Sequence, residues 1–166
     1  MEEFATGMPP ISDIELIRRL ITAALLGALL GFEREVHQKS AGLRTNILIA
    51  VGSALFTLMS IEMSGPSGDP ARIAAQIVTG IGFLGAGAIM RTGAGVQGLT
   101  TAAAVWVNAA VGVASGGGAY HLAFIATAIT LGSLMILAPV ERALTRRAKQ
   151  KGKHVKNADA DTDAAD

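Results

Sequence analysis

The sequence predicts an all-α polytopic membrane protein, a helix bundle of about five transmembrane helices. Hydrophobic residues make up 51% of the 166-residue chain and charged residues only 16%, against roughly 25% charged residues in an ordinary soluble domain. The mean hydropathy is positive, at +0.46. Charged residues are also absent from all of residues 92–140, a stretch long enough for about two membrane spans.

Uncharged runs and turn-forming residues place the individual spans. Arg18 and Arg19 lie in the first turns of the first span, where their side chains would reach toward the headgroups. Residues 64–70, rich in Gly, Pro and Ser, separate the second span from the third, and the Ser-Gly-Gly-Gly run at residues 115–118 separates the fourth from the fifth. The predicted spans are residues 14–32, 45–62, 73–90, 99–114 and 121–139.

The basic residues predict which side of the membrane each segment faces. With five spans, the arrangement that puts eleven basic residues inside and three outside satisfies the positive-inside rule. Residues 1–13 are therefore predicted to form a short extracytoplasmic N-terminus, and residues 141–166 a charged, largely disordered cytoplasmic tail. A cleaved signal peptide is not expected, because the first apolar run is flanked by acidic residues and lacks a small-residue cleavage site.

The third span contains a literal G-x-G-x-x-G motif, at Gly80, Gly82 and Gly85. A dinucleotide site of this type needs a preceding strand and an acidic residue about 20 positions later. The next acidic residue here is Glu141, and the motif lies inside an uninterrupted apolar run. The sequence therefore predicts neither a nucleotide nor a nucleic acid as a partner.

The same three glycines and Gly87 predict close helix packing. On a helix they fall on two faces, and small residues let neighbouring backbones approach closely. This pattern predicts that span three is the central helix of the bundle, with its bulkier face, which contains Ile81, toward lipid. Narrower signals of the same kind are two Gly-x-x-x-Gly pairs, Gly27/Gly31 and Gly112/Gly116.

Gln76 in the third predicted span and Asn108 in the middle of the fourth carry amide side chains. Asn108 shares a helical stripe with Thr101, Gly112 and Ser115. One interpretation is that these amides hydrogen-bond between helices and contribute about 0.6 kcal/mol each. The alternative is that they line a path for a solute. The lack of an ionisable group at the same depth favours the structural interpretation.

Ionisable residues gather instead at the predicted cytoplasmic face. Glu33 and Arg34 close span one, Arg44 and Thr45 open span two, and Arg91 closes span three. They are either ordinary interfacial anchors or a polar network that could leave a carboxylate free for a cation. Because Mg²⁺ often uses only one or two protein carboxylates, Glu33 is the candidate metal ligand. The chain has no cysteine and no catalytic-triad or zinc-ligand spacing, so no enzymatic activity and no other cofactor is expected.

Five motifs, taken in order, resemble those of the MgtC/SapB family of bacterial inner-membrane proteins. They are GFERE (residues 31–35), AGLRTN (41–46), GIGFLGAGAIMR (80–91), GLTTAAAVW (98–106) and AAVGVASGGG (109–118). The resemblance covers about residues 14–140. It implies functional roles for the matching positions Glu33, Arg34, Arg44, Thr45, Arg91, Thr100, Thr101 and Trp106.

The resemblance also implies a multi-pass protein linked to magnesium limitation, acid stress or survival inside host cells, and hence to virulence. The leading hypothesis is a non-enzymatic module that contacts further copies of itself, as a homo-oligomer, and larger membrane proteins. The alternative is an oligomeric transporter or channel for Mg²⁺ or a small solute. Virulence-associated members carry a cytoplasmic ACT-like domain after the last span, and the charged tail is expected in its place here, as in a short form of the family.

Overall fold

A computed structural model describes residues 11–64, 68–69, 71–92 and 95–137 of the chain. These residues form, in order, α1 (Asp13–Val36), α2 (Leu43–Met63), α3 (Arg72–Gly87), β1 (Met90–Thr92), β2 (Gly95–Gln97), α4 (Leu99–Gly116) and α5 (Tyr120–Leu137). The predicted all-α helix bundle is confirmed, with one short hairpin added.

The chain divides into two compact units, Met1–Thr130 and Leu131–Asp166. Of the second unit the structure describes residues 131–137, which belong to α5. The predicted cytoplasmic tail, residues 141–166, and most of the predicted extracytoplasmic N-terminus lie outside the described residues. The packing described below is that of the first unit.

Local signals at both ends define α1. The hydroxyl of Ser12 accepts the main-chain N–H of Glu15 at 3.4 Å, and Asp13 and Glu15 place negative charge in the first turn, where the helix dipole favours it. The helix runs past residue 32, the end of the predicted span, to Val36. It can do so because the charged residues that end the apolar run are themselves good helix formers. Gln38, with a φ of 51°, then turns the chain toward α2.

The segment after α3 departs most from the sequence prediction. The apolar run predicts a span to residue 90, but the helix ends at Gly87 after 16 residues. Met90–Thr92 then pairs with Gly95–Gln97 as an antiparallel hairpin. Gly98 leaves the hairpin with a φ of 89°, and a Cβ at this position would collide with the carbonyl oxygen of Ala88. The conformational freedom of Gly98 therefore lets the chain turn from the hairpin into α4 in close contact with Ala88.

Among α1–α4, helix α2 has the most extensive packing, against α1, α3 and α4, and α4 likewise packs against the other three helices. A Cβ on Gly27 of α1 would lie 2.8 Å from Ala50 Cβ, and a Cβ on Gly112 of α4 would lie 2.7 Å from Ser53 Cβ. Real Cβ atoms essentially never come within 3.0 Å of another heavy atom, so glycine alone permits these approaches. The two Gly-x-x-x-Gly pairs thus pack on α2, one from α1 and one from α4.

The prediction that span three is the central helix is wrong. Only Ile81 and Gly85 of α3 are buried among its described residues. Ile81 joins a hydrophobic cluster with Ile49 and Val105, against which Ile77 also packs, so the isoleucines of the face that was expected to meet lipid pack inward, while Leu84 of that face is 55% exposed. Burial of a large apolar side chain removes more surface from its surroundings than burial of a glycine, and this favours the isoleucine face at the contact with α2 and α4.

Most glycines of α3 do not pack closely against other helices of the same chain, although the sequence predicts close packing. Gly80, Gly82 and Gly87 have no atom within 4 Å of the position that a Cβ would occupy. Of the four glycines, only Gly85 faces a neighbour: a Cβ placed on Gly85 would lie 3.8 Å from the Cβ of Ala102 in α4. Packing by the other three glycines stays a prediction, and it now concerns contacts with other chains.

Three of the described helices, α2, α4 and α5, are long and apolar enough to cross a membrane, with 21, 18 and 18 residues. The 16 residues of α3 extend about 24 Å, against a hydrocarbon core of about 30 Å. Helix α1 has 24 residues and exposes an apolar stripe at helical spacing, formed by Ile14, Ile17, Ile21, Leu25, Leu29 and Phe32. Continuous apolar surface of this kind is typical of lipid contact. The chain is a membrane protein, and spans at α1 and α3 stay predictions.

Candidate functional site

Two buried ionisable side chains lie side by side near the end of α1. Glu33 and Arg34 are 7% and 4% exposed, and Arg34 Nε donates a hydrogen bond to Glu33 Oε2. One turn later, His37 Nδ1 lies 2.9 Å from the carbonyl oxygen of Glu33 and 3.1 Å from Glu33 Oε1. Because both oxygens are acceptors, Nδ1 carries the proton in this arrangement.

The carboxylate of Glu33 is only partly satisfied by these neighbours. His37 meets hydrogen-bond geometry toward the carbonyl oxygen, and the buried Oε1 has no hydrogen-bond partner among the described residues. A buried carboxylate oxygen without a donor is unfavourable unless it gains a proton, a water or a cation. Glu33 Oε1 therefore has His37 Nδ1 nearby at 3.1 Å but accepts no hydrogen bond of good geometry within the described residues.

The turn between α1 and α2 is held by two side chains, Glu35 and Asn46. Glu35 Oε2 accepts the main-chain N–H of Leu43 at 3.0 Å, at the first residue of α2. Asn46 Nδ2 donates to the carbonyl oxygens of Ala41 and Gly42, at 2.8 and 2.9 Å. The bond from Leu43 pairs an N–H that the start of a helix would otherwise leave unpaired, and the carbonyl oxygen of Gly42 also accepts the main-chain N–H of Asn46 at 3.1 Å. Together these bonds fix the turn that follows the Glu33–Arg34 pair.

Asn108 connects α4 to the same turn. Its side chain is fully buried, and its Nδ2 donates to the carbonyl oxygen of Asn46 at 2.7 Å and to Asn46 Oδ1 at 3.0 Å. This is the interhelical hydrogen bond that the structural interpretation of Asn108 predicts. Its own Oδ1 is buried and has no hydrogen-bond partner within the described ranges. Thr101, Gly112 and Ser115, which share its stripe, are buried as well.

The other sequence-predicted site residues lie at the protein surface. These are Arg44, Thr45, Gln76, Arg91 and Thr100, which are exposed, and Trp106, which is half-exposed. The fold thus joins Glu33 to Arg34 and Asn108 to Asn46. No hydrogen bond or ion pair within the described residues joins the exposed set to them, and no group of three or more His, Asp or Glu side chains there could hold a metal ion.

Sequence analysis missed a second polar cluster, near the start of α1. Glu15 Oε1 accepts hydrogen bonds from Arg19 Nε at 3.0 Å and from the Tyr120 hydroxyl at 2.7 Å. Arg19 Nη1 also donates to the carbonyl oxygen of Gly116 at 2.9 Å. These bonds tie the start of α1 to the turn between α4 and α5. The four-residue spacing of Glu15 and Arg19 was an available signal, but Tyr120 is 105 residues from Glu15 and only the fold brings them together.

Comparison with known proteins tests the family resemblance. Residues 20–143, well over half of the chain, match the sequence model of the MgtC family. The chain belongs to the MgtC family. The resemblance drawn from the five motifs is therefore confirmed.

Curated MgtC relatives define how far the likeness extends. The chain is 49% identical to Protein MgtC of Brucella abortus (strain 2308) over 133 residues, which cover 80% of this chain and 56% of that protein. It is 54% identical to Protein MgtC of Salmonella typhimurium (strain LT2) over 121 residues, which cover 73% of this chain and 52% of that protein. The chain thus spans about half the length of these relatives. No solved structure matches it.

Proposed function

We propose that this MgtC-family chain is a non-enzymatic protein of the bacterial inner membrane that modulates membrane partners in adaptation to low magnesium, acid or intracellular stress. The observation that carries the proposal is the outward position of three glycines of α3, of which Gly80 and Gly87 lie on one side of the helix and Gly82 lies on another. Gly80, Gly82 and Gly87 have open space beside them, although they lie in an apolar helix of a membrane protein.

An open glycine face favours a helix from another chain. Glycine in a helix interior destabilises the helix by about 1 kcal/mol relative to alanine, and within one chain no close packing offsets this loss at the three positions. A second helix can approach the backbone there and gain dispersion contacts that lipid tails cannot match. Phe83, which is 83% exposed between these glycines, offers an aromatic side chain to the same partner. The partner is another copy of the chain or a larger membrane protein.

A pair of leucine substitutions tests this surface. Gly82→Leu adds bulk to α3, and Gly52→Leu adds the same bulk to α2 at a position that also has no atom within 4 Å of a Cβ. We expect Gly82→Leu to abolish crosslinking between helices of different chains in native membranes, together with growth in low magnesium. Gly52→Leu should preserve both. Equal behaviour of the two variants, or a monomer that supports growth, would contradict the proposal.

The proposed orientation places the turn between α1 and α2 in the cytoplasm and the segment between α2 and α3 outside. The excess of basic residues on the inner side supports it. A reporter that is active only outside the cytoplasm should be active when inserted after residue 68 and inactive when inserted after Lys39. The opposite pattern would reverse the orientation.

A second candidate function is transport of Mg²⁺ or a small solute by an oligomer. The two buried acceptors without a hydrogen-bond partner in the described residues, Glu33 Oε1 and Asn108 Oδ1, favour it. Mg²⁺ that keeps most of its waters needs only one or two protein oxygens, so Glu33 would be its ligand. The measurement is Mg²⁺ flux into proteoliposomes, with Glu33→Gln as the variant. Transport would be supported if the flux exceeds that of empty vesicles and Glu33→Gln abolishes the excess. If the flux does not exceed that of empty vesicles, the modulator proposal remains.

A further inference from the structure

An apolar groove opens on the side of α1 that carries its exposed stripe. Its volume is about 520 Å³, and most of its lining comes from α1, from Thr22 to Phe32. Leu43 at the start of α2 and Phe124 of α5 complete it. Ligand pockets commonly have volumes of about 300–1,000 Å³. Because the lining side chains are almost entirely apolar, the groove suits a hydrocarbon ligand.

The groove has the length of one membrane leaflet. Ten residues separate Thr22 from Phe32, which corresponds to about 15 Å along a helix. This is about half of the 30 Å hydrocarbon core of a bilayer. Phe124 lies one turn after Tyr120, which bonds Glu15 near the start of α1, so Phe124 belongs to the Thr22 end. The groove therefore extends from the middle of α1 to the turn between α1 and α2, as one acyl chain does.

Two cations stand at the Phe32 end of the groove. Arg44 directly follows the lining residue Leu43, and Lys39 lies in the turn that precedes it. Both side chains are exposed and neither forms an ion pair with a described residue. Among the acidic neighbours, Glu33 pairs with Arg34, and Glu35 accepts the neutral N–H of Leu43 and keeps its charge. Lys39 and Arg44 together outweigh the charge of Glu35, so the turn offers a net positive charge to an anion at headgroup level.

We propose that this groove binds one anionic phospholipid. One acyl chain lies along α1 between Thr22 and Phe32, and the phosphate group interacts with Arg44 and Lys39. The charge complementarity at one end and the match of groove length to a single leaflet identify the occupant as a lipid of the leaflet that the α1–α2 turn faces. A zwitterionic lipid would offer the same chain but no net charge, so the preference for an anionic headgroup comes from the two cations.

Tryptophan quenching by brominated lipid tests the proposal in the full chain. Trp106 is replaced by Phe to remove the only native tryptophan. Phe124→Trp then reports from the groove, and Phe56→Trp is the control, because Phe56 is 54% exposed against 56% for Phe124 and does not line the groove. Each variant is reconstituted in phosphatidylcholine that contains a minor fraction of brominated phosphatidylglycerol or, separately, of brominated phosphatidylcholine.

We expect Phe124→Trp to be quenched at lower mole fractions of the brominated anionic lipid than of the zwitterionic one. Phe56→Trp should follow the mole fraction of either lipid equally. A basic residue near a membrane surface corresponds to about a fivefold preference for anionic lipid. Equal quenching of Phe124→Trp by the two brominated lipids would overturn the proposal.

Charge variants locate the headgroup. In the Phe124→Trp background, Arg44→Gln should weaken the anionic preference about fivefold, and adding Lys39→Gln should remove most of the remainder. Arg72→Gln, an exposed arginine at the start of α3 away from the groove, is the matched control and should leave the preference unchanged. A preference that persists in the Arg44→Gln, Lys39→Gln variant would show that these cations do not bind the headgroup and would overturn the proposal.

Discussion

Two sets of helix glycines in this protein differ in their surroundings: one set is packed against a neighbouring backbone and the other faces open space. The Gly-x-x-x-Gly pairs of α1 and α4 lie against the backbone of α2, where a Cβ would overlap with neighbouring atoms. Three glycines of α3, in the stretch with more glycine, face open space. A small-residue pattern therefore indicates that a close approach is possible, and the shape of the neighbouring helix decides whether the approach occurs.

The difference follows from what α2 presents to each neighbour. Opposite Gly27 and Gly112 it presents Ala50 and Ser53, small residues that complete a close contact. Toward α3 the cluster contains Ile49, and larger side chains there pack with Ile81. Small residues meet small residues at the α1 and α4 contacts, whereas isoleucine meets isoleucine at the α3 contact. Three glycines of α3, Gly80, Gly82 and Gly87, are left on the outer side of the bundle, whereas Gly85 is buried against α4.

Gly112→Ala should have the largest effect on the stability of the bundle. Its Cβ would overlap with the carbonyl oxygen of Ala50 and lie 3.0 Å from Ala50 Cα, and backbone atoms cannot move aside locally. We expect the free energy of unfolding to fall by about 3 kcal/mol, as for overpacked cores. Denaturant titration in mixed micelles measures it. Gly52→Ala on α2, with no atom within 4 Å, is the control and should not destabilise the bundle, since alanine there favours the helix by up to about 1 kcal/mol.

Gly27→Ala should destabilise less, by about 2 kcal/mol, because one of its two closest contacts is a side chain. Its Cβ would lie 2.8 Å from both Ala50 Cβ and the carbonyl oxygen of Asn46. Combining it with Ala50→Gly removes the first contact and should restore part of the loss in the same titration. A double variant that is no more stable than Gly27→Ala would show that the main-chain contact alone controls this approach.

Asn108→Ala should reduce stability by about 1 kcal/mol, since it removes two hydrogen bonds to Asn46 at the contact that Gly112 makes possible. The matched variant is Gln76→Ala, which truncates an exposed amide on α3 and should change the unfolding free energy by less than about 0.5 kcal/mol. If the two variants lost the same stability, the amide pair between α2 and α4 would not contribute.

Gly80→Ala should have the smallest effect and the opposite sign. The position has room for a Cβ, so alanine keeps the contacts of one chain and stabilises the helix by up to about 1 kcal/mol. Thermal unfolding of the monomer in detergent measures the gain. Destabilisation comparable to that of Gly112→Ala would mean that this face is packed within the chain, and the contrast between the two sets of glycines would not hold.

The helices were predictable from sequence because their signals are local. Hydropathy identified five apolar segments, and the Ser-Gly-Gly-Gly run placed the break that falls between α4 and α5. The hairpin after α3 was not predicted, because its strands are only three residues long, too short to show an alternating pattern, and the backbone angles at Gly95 and Gly98 are not evident from hydropathy. The stripe that contains Asn108 was also predicted, since helical spacing alone places its members on one face.

The candidate site was only partly predictable. Glu33 and Arg34 adjoin in sequence, and their pairing in the fold required no distant residue. Asn46 entered the site as the partner of Asn108, 62 residues away, and a single sequence contains no signal that joins two such amides. The contact of Tyr120 with Glu15 could not be predicted either, because these residues are also far apart in the sequence.

Residue chemistry along the chain was sufficient to establish a helical membrane protein of the MgtC family and the positions where backbones could approach closely. These properties depend on hydropathy, helical spacing and residue size, which are local. The tertiary structure decided that α2 has the most extensive packing among α1–α4, that glycines of α1 and α4 pack on it, and that three of the four glycines of α3 face outward. Those outcomes depend on the fit between surfaces of different helices, and that fit exists only when the helices are assembled.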